Sequence, residues 1–207
     1  MERIISRIGG LIVSPKETMK LLVHEGRGLS EAALVVLAFS LSYWASVVLA
    51  LRHLVRYVAG PLIELLAPIA GIARGLAVLG VALGVALTMV AWVALSAASH
   101  LLIRALGGGG SFEDTMSVLG YSHACLAIPL APLAISPLTP LVSLAAHLVL
   151  GLAAAVWFVY LAGVGLSESH GVGLGRAMAA VAVPALAAAA LLLVLPLSMA
   201  AISALMG

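Results

Sequence analysis

Charge is what this sequence has least of. Ten basic and eight acidic residues stand among 207, where a soluble domain of that length carries about 50 charges. With 64% apolar side chains, a water-facing surface cannot be assembled. That excludes an ordinary soluble enzyme, a nucleic-acid-binding domain and a disordered chain, and leaves the bilayer as solvent. Cysteine is nearly absent too: Cys125 stands alone, so no intrachain disulfide forms and the redox compartment is not legible. Aromatics are scarce at 5%, and the formal net charge of +2 is too small to select an acidic partner at long range. The opening stretch to Val13 has too short an apolar run, interrupted by Arg7, for a secretory signal.

What is present is long uncharged runs. Their continuity, rather than alternation, predicts α-helices that close their own backbone hydrogen bonds, not barrel strands. Five spans are expected, over about 29–51, 75–103, 115–136, 138–164 and 176–206, each near the length needed to cross about 30 Å of hydrocarbon. Ser30 is the expected N-cap of the first. The fold class is therefore an all-α polytopic transmembrane bundle, with a segment 1–28 preceding a membrane domain 29–207.

Two stretches read as interfacial, because polar and apolar residues separate at helical spacing over lengths too short to span. In the first thirteen residues Ile4, Ile8, Leu11 and Ile12 oppose Arg3 and Arg7; a second helix then starts at Ser14-Pro15-Lys16-Glu17, with Ser14 capping and Glu17 closing a capping box. The second stretch, Arg52 to Arg74, is broken at Gly60-Pro61 and Pro68 and is expected to lie on the outer surface. Seven cations (Arg3, Arg7, Lys16, Lys20, Arg27, Arg104, Arg176) fall on the N-terminal side and three (Arg52, Arg56, Arg74) on the other. The positive-inside rule then places the N-terminus in the cytoplasm and the C-terminus outside a cell membrane.

Gly80 and Gly84, with Thr88 one turn on, form a ridge that a neighbouring helix can approach closely. Packing within the chain is favoured over a dimer seam, since Gly is abundant here. The run Gly107 to Gly110 lacks the Lys and Ser/Thr of a phosphate loop, and Glu113 and Asp114 repel phosphate. It reads as a hairpin, with Ser111 capping the third span. His123 and His147 are ionisable groups at membrane depth. A proton relay or metal pair is one reading of them; neutral histidines hydrogen-bonded between helices is the preferred one, because metal sites need three or four converging ligands. Ser96 and Ser143 lack a base and acid at any recognisable spacing, so no catalytic residue, cofactor or metal is expected.

Several elements in order resemble the Yip1 domain family of five-span membrane proteins. They are the short helix at Ser14-Pro15, the Gly-rich turn into Ser111-Phe112, and Gly120-Tyr121-Ser122. Further on come Trp157, Ser169-His170-Gly171-Val172, Arg176-Ala177 and Pro184. The resemblance spans nearly the whole chain, and the Ala, Leu and Val bias with compact loops points to a prokaryotic-type member. It implies a polytopic protein without chemistry of its own. Eukaryotic relatives act in vesicle trafficking and associate with Rab-type GTPases and with one another; some prokaryotic relatives resemble accessory subunits of export systems. Only about 28 residues precede the first span, which argues against a GTPase partner, and His123-Ala124-Cys125 stands where the family often has a Pro after Tyr-Ser. The expected function is a scaffold or adaptor for other membrane proteins or for its own copies, in the lipid bilayer; an accessory, permease-like subunit of an exporter or a small transporter is the alternative. The expected intramembrane packing or polar positions are Tyr121, His123, His147, Gly80 and Gly84.

Overall fold

A computed structural model describes the backbone of residues 2–25, 28–65, 70–135 and 137–206, and their side chains except those of residues 2–5, 59–65, 70–74 and 191–206. Among the described residues the chain is helical, with no strand: α1 (Glu2–Val13), α2 (Pro15–His24), α3 (Leu29–Leu65), α4 (Ala70–Ala105), α5 (Phe112–Ser122), a 3-10 segment (His123–Ile135), α6 (Pro140–His170) and α7 (Leu174–Met206). Among the described residues four stretches are long and apolar enough to cross a membrane: Leu29–Val58, Gly75–Ala105, Phe112–Ile135 and Pro140–His170. Leu174–Ala190 in α7 adds a shorter apolar stretch. This is an all-α membrane bundle. The fifth expected span continues past Ala190 into residues whose side chains lie outside those described.

Several boundaries move. The first helix does not stop at Leu51 but continues through Gly60-Pro61 to Leu65, so the expected break at those two residues is absent. A nucleated helix adds residues at far less cost than starting one, and a single Pro removes only one bond of the ladder. Pro68 lies outside the described residues. At 37 residues α3 is about 55 Å long by its rise per residue, well beyond the hydrocarbon thickness. The third span is two elements: α5 gives way at His123 to a 3-10 segment that carries Pro129 and Pro132.

Capping follows the sequence at one site and departs from it at two others. Ser111 accepts from the Asp114 backbone N–H, and the Asp114 carboxylate accepts from Ser111 N–H, forming a capping box. Ser14 makes no side-chain cap. Its N–H already donates to Gly10 O at 2.7 Å, completing the last turn of α1, so Glu17 has no free N-cap N–H to accept. Nor is Ser30 the N-cap of α3: the helix begins at Leu29, and Gly28 O accepts from Ala32 N–H at 2.7 Å. Gly28 suits that place because a Cβ there would meet Ser117 Cβ at 2.8 Å.

The core lies at the end of the bundle where α3 starts, α4 ends, α5 starts and α6 ends. Val36, Ile103, Leu119, Leu161, Leu166 and Val181 are fully buried there, and Leu11 of α1 and Met19 of α2 join them. The N-terminal helices thus lie on the bundle itself. The outer faces of α3, α4 and α6 remain apolar and exposed, for example at Leu41, Leu87 and Leu152, as lipid contact demands.

Candidate functional site

One polar cluster centres on Arg7. Arg7 projects from α1 with its side chain 14% exposed and forms ion pairs with Glu25, the residue capping the C-terminus of α2, and with Glu31 in the first turn of α3. The guanidinium also donates to Tyr121 Oη at 3.0 Å, and Tyr121, 1% exposed, donates its own proton to Glu31. Burial lowers the guanidinium's pKa, but hydrogen bonds to Tyr121 and Glu25 and the charge of Glu31 outweigh it, so the net shift is upward. Arg7 is a fixed cation joining α1, α2, α3 and α5. Glu31 is well placed electrostatically, since a carboxylate in a first turn meets the positive end of the helix dipole. Gly120 lets the helices meet there: a Cβ would stand 2.7 Å from Ala32 Cβ. Beside the cluster a cavity of about 110 Å³ opens between α2 and α5, lined by Leu22, Gly28, Glu113, Ser117 and Tyr121.

A second polar cluster joins α4, α5 and α6. Thr115 Oγ1 lies 3.1 Å from His100 Nδ1 and 3.1 Å from His170 Nε2, and His170 Nδ1 lies 2.8 Å from Ser169 Oγ. The Gly-rich loop is clamped over it. Gly109 N–H donates to His170 O at 3.0 Å, and a Cβ on Gly110 would approach His170 Nδ1 to 2.8 Å. The loop's glycines therefore serve close packing onto the end of α6. Phe112 sets its ring edge against His100, with centroids 5.6 Å apart.

The two histidines singled out in the sequence are linked through aromatics, His123 to Phe39, Phe39 to Tyr43 and Tyr43 to His147, with centroids 5.6 to 5.9 Å apart. They differ in hydrogen bonding. His147 Nδ1 meets Pro129 O at 2.7 Å across the α6 boundary with the 3-10 segment. His123 instead bonds Leu119 O, four residues back in the same span, at 2.8 Å and sits against Phe158 of α6, so its hydrogen bond does not reach a neighbouring span. Among the described residues no three His, Cys, Asp or Glu side chains group in a metal-binding arrangement. Ser96 and Ser143 donate to the carbonyls of Trp92 and Pro132 at 2.7 and 2.6 Å, which occupies their protons.

The glycine ridge of α4 divides. Gly84 receives the Trp44 ring, where a Cβ would stand 2.3 Å from Trp44 Cδ2, and the Trp44 indole N–H donates to Thr88 at 3.0 Å. A Cβ on Gly80 would have nothing within 4 Å among the described residues. Of the other motif positions, Pro15 opens α2, and Gly171 ends α6 in the left-handed conformation at φ 67°. Trp157 stacks on Tyr160 at 5.2 Å, Arg176 is exposed in the first turn of α7, and Pro184 is half-buried within α7. Sequence reasoning missed Arg7, Glu25, Thr115, His100 and His170 as partners. Nothing in their spacing pairs them; only the return of each helix to the same end of the bundle does.

No curated protein and no solved structure matches the chain. The Yip1 domain matches residues 9–196, taking in α2 to α6, most of α7 and every motif position named above. That extent, over helices that pack as one membrane bundle, makes the chain a multi-pass membrane protein belonging to the Yip1 domain family.

Proposed function

We propose that the protein is a non-enzymatic membrane scaffold, binding other membrane proteins or further copies of itself through the outward face of α4. One observation carries this. Leu76, Gly80, Leu83, Leu87 and Val90 recur at alternating spacings of four and three, and all are exposed. That is the period of a helix–helix seam, and the space over Gly80, open among the described residues, lets a second helix come close. The Yip1 domain family is not a known enzyme family, which supports the same reading. The orientation follows the positive-inside rule: N-terminus cytoplasmic, C-terminus outside, in the cell membrane.

The test is site-directed crosslinking in the native membrane, with a Leu83→Cys probe in a Cys125→Ala background and Val149→Cys on the exposed face of α6 as control. A discrete adduct at position 83, lost on adding Gly80→Phe and not seen from position 149, is expected. Equal smears from both positions would reduce α4 to a lipid-facing helix. The second reading, an accessory subunit of an exporter, draws on the Pro-broken third span, since discontinuous helices often line substrate sites. The bonds from His147 and Ser143 to the carbonyls of Pro129 and Pro132 favour a closed, packed break over a pore lining.

A further inference from the structure

A groove of about 240 Å³ opens between α3, the 3-10 segment and α6, walled by Val47, Leu51, Leu54, Leu133, Leu144 and Leu148. Among the described residues, none that lines it is charged. Leu51, Leu144 and Leu148 are exposed, so it is continuous with the lipid-facing belt. Three polar side chains stand in this wall: Ser143, whose hydroxyl proton is taken by Pro132 O, and the rings of Tyr43 and His147, with centroids 5.9 Å apart. Pro129 O can only accept, so the His147 Nδ1 atom facing it at 2.7 Å carries the proton. In the neutral imidazole that leaves Nε2 as an acceptor with a lone pair, with no partner among the described residues. An acceptor in such surroundings calls for a donor.

Three properties narrow the occupant. The absence of charge along the walls excludes an ionic headgroup, whose burial would be costly. The volume exceeds the roughly 150 Å³ that holds one benzene but suits a head and the first carbons of one chain, the rest running out into the bilayer. Depth is the third. At 31 residues α6 is about 46 Å long, overshooting the hydrocarbon by about 8 Å at each end if centred. His147, seven residues in from Pro140, then sits about 10 Å along, near the hydrocarbon edge where a neutral lipid's hydroxyl rides. The geometry points to a binding site for a neutral, single-chain lipid alcohol, its hydroxyl donating to His147 Nε2 and its tail lying along Leu144 and Leu148.

The full chain in mild detergent is titrated with geranylgeraniol and, in parallel, with its methyl ether, which keeps the tail and loses the donor; saturable thermal stabilisation is the readout. The alcohol is expected to bind about tenfold more tightly than the ether. His147→Phe is expected to erase that preference, and Leu144→Trp, which fills the groove and leaves the bond to Pro129 intact, to abolish saturable binding of both. Equal affinity for alcohol and ether in the unaltered protein overturns the assignment, as does a preference that survives His147→Phe, or the lack of any saturable shift. The alcohol–ether comparison needs no variant, so a folding defect in His147→Phe leaves it decisive.

Discussion

At Arg7, one side chain serves two carboxylates and a phenol. Exposed ion pairs contribute about 0–1 kcal/mol, whereas breaking a buried one costs about 3–5. Arg7 is mostly buried but Glu25 is half exposed, so Arg7→Ala is expected to cost about 2 kcal/mol in a detergent unfolding titration. Tyr121→Phe, which loses two hydrogen bonds to charged partners, should also cost about 2. Because the two share Glu31, the double variant should lose less than the sum. Arg7→Lys should recover little, since one ammonium cannot reach across partners as the guanidinium fork does. The two ridge glycines give a sharper contrast. Gly84→Leu drives a side chain into Trp44 and breaks the approach of α3 to α4, lowering thermal stability by several degrees, while Gly80→Leu leaves the isolated chain's stability unchanged. Equal loss at both would mean the ridge packs as a unit. Neither assignment was legible beforehand: the sequence offered Gly80, Gly84 and Thr88 as equivalent, and only the position of Trp44 separates them.

Among elements, the two serines ahead of helices behave differently although their local sequences look alike. Ser111→Ala removes a formed cap and should cost about 1 kcal/mol. Ser14→Ala should change stability by less than about 0.5, because α1 runs into α2 with the Ser14 amide already bonded. Both are measured by the same unfolding titration, and a larger loss at Ser14 would contradict the continuous hydrogen bonding of that corner. At the other end of α6, Gly171 holds φ 67°, so Gly171→Ala should cost about 1 kcal/mol from backbone strain alone. The long helices were legible, because runs of Leu, Ala and Val long enough to span are unambiguous; the interfacial stretch expected over Arg52 to Arg74 was not there, its described residues being the end of α3 and the start of α4. Helix ends were not legible. α3 outran its expected stop by fourteen residues, from Leu51 to Leu65, since Arg52 and Arg56 mark where apolarity ends rather than where helical hydrogen bonding does. The 3-10 geometry of His123–Ile135 was likewise hidden: Pro129 and Pro132 announce a disturbance but not its form.

For the molecule as a whole, the helices return repeatedly to one end, where α1 and α2 close over the bundle through Leu11, Met19 and Arg7, and Lys20 reaches Glu168 of α6 at 3.5 Å. An odd number of crossings would put the termini on opposite faces. Labelling a single cysteine introduced at Ser14, and separately one at Gly207, in a Cys125→Ala background should then give opposite accessibility to a membrane-impermeant reagent in sealed vesicles; labelling of both from one side would remove a crossing. By itself the sequence determined the solvent, the all-helical class and the family. Each follows from sums and orders along the chain: too little charge for water, apolar runs of spanning length, motif residues in sequence. The tertiary structure alone decided that Arg7 meets Glu31 and Tyr121, that Thr115 joins His100 to His170, and that His147 lines a lipid-facing groove. Those contacts join residues far apart in sequence, and hydrophobicity, which is non-directional, drives helices into the membrane without saying which faces meet.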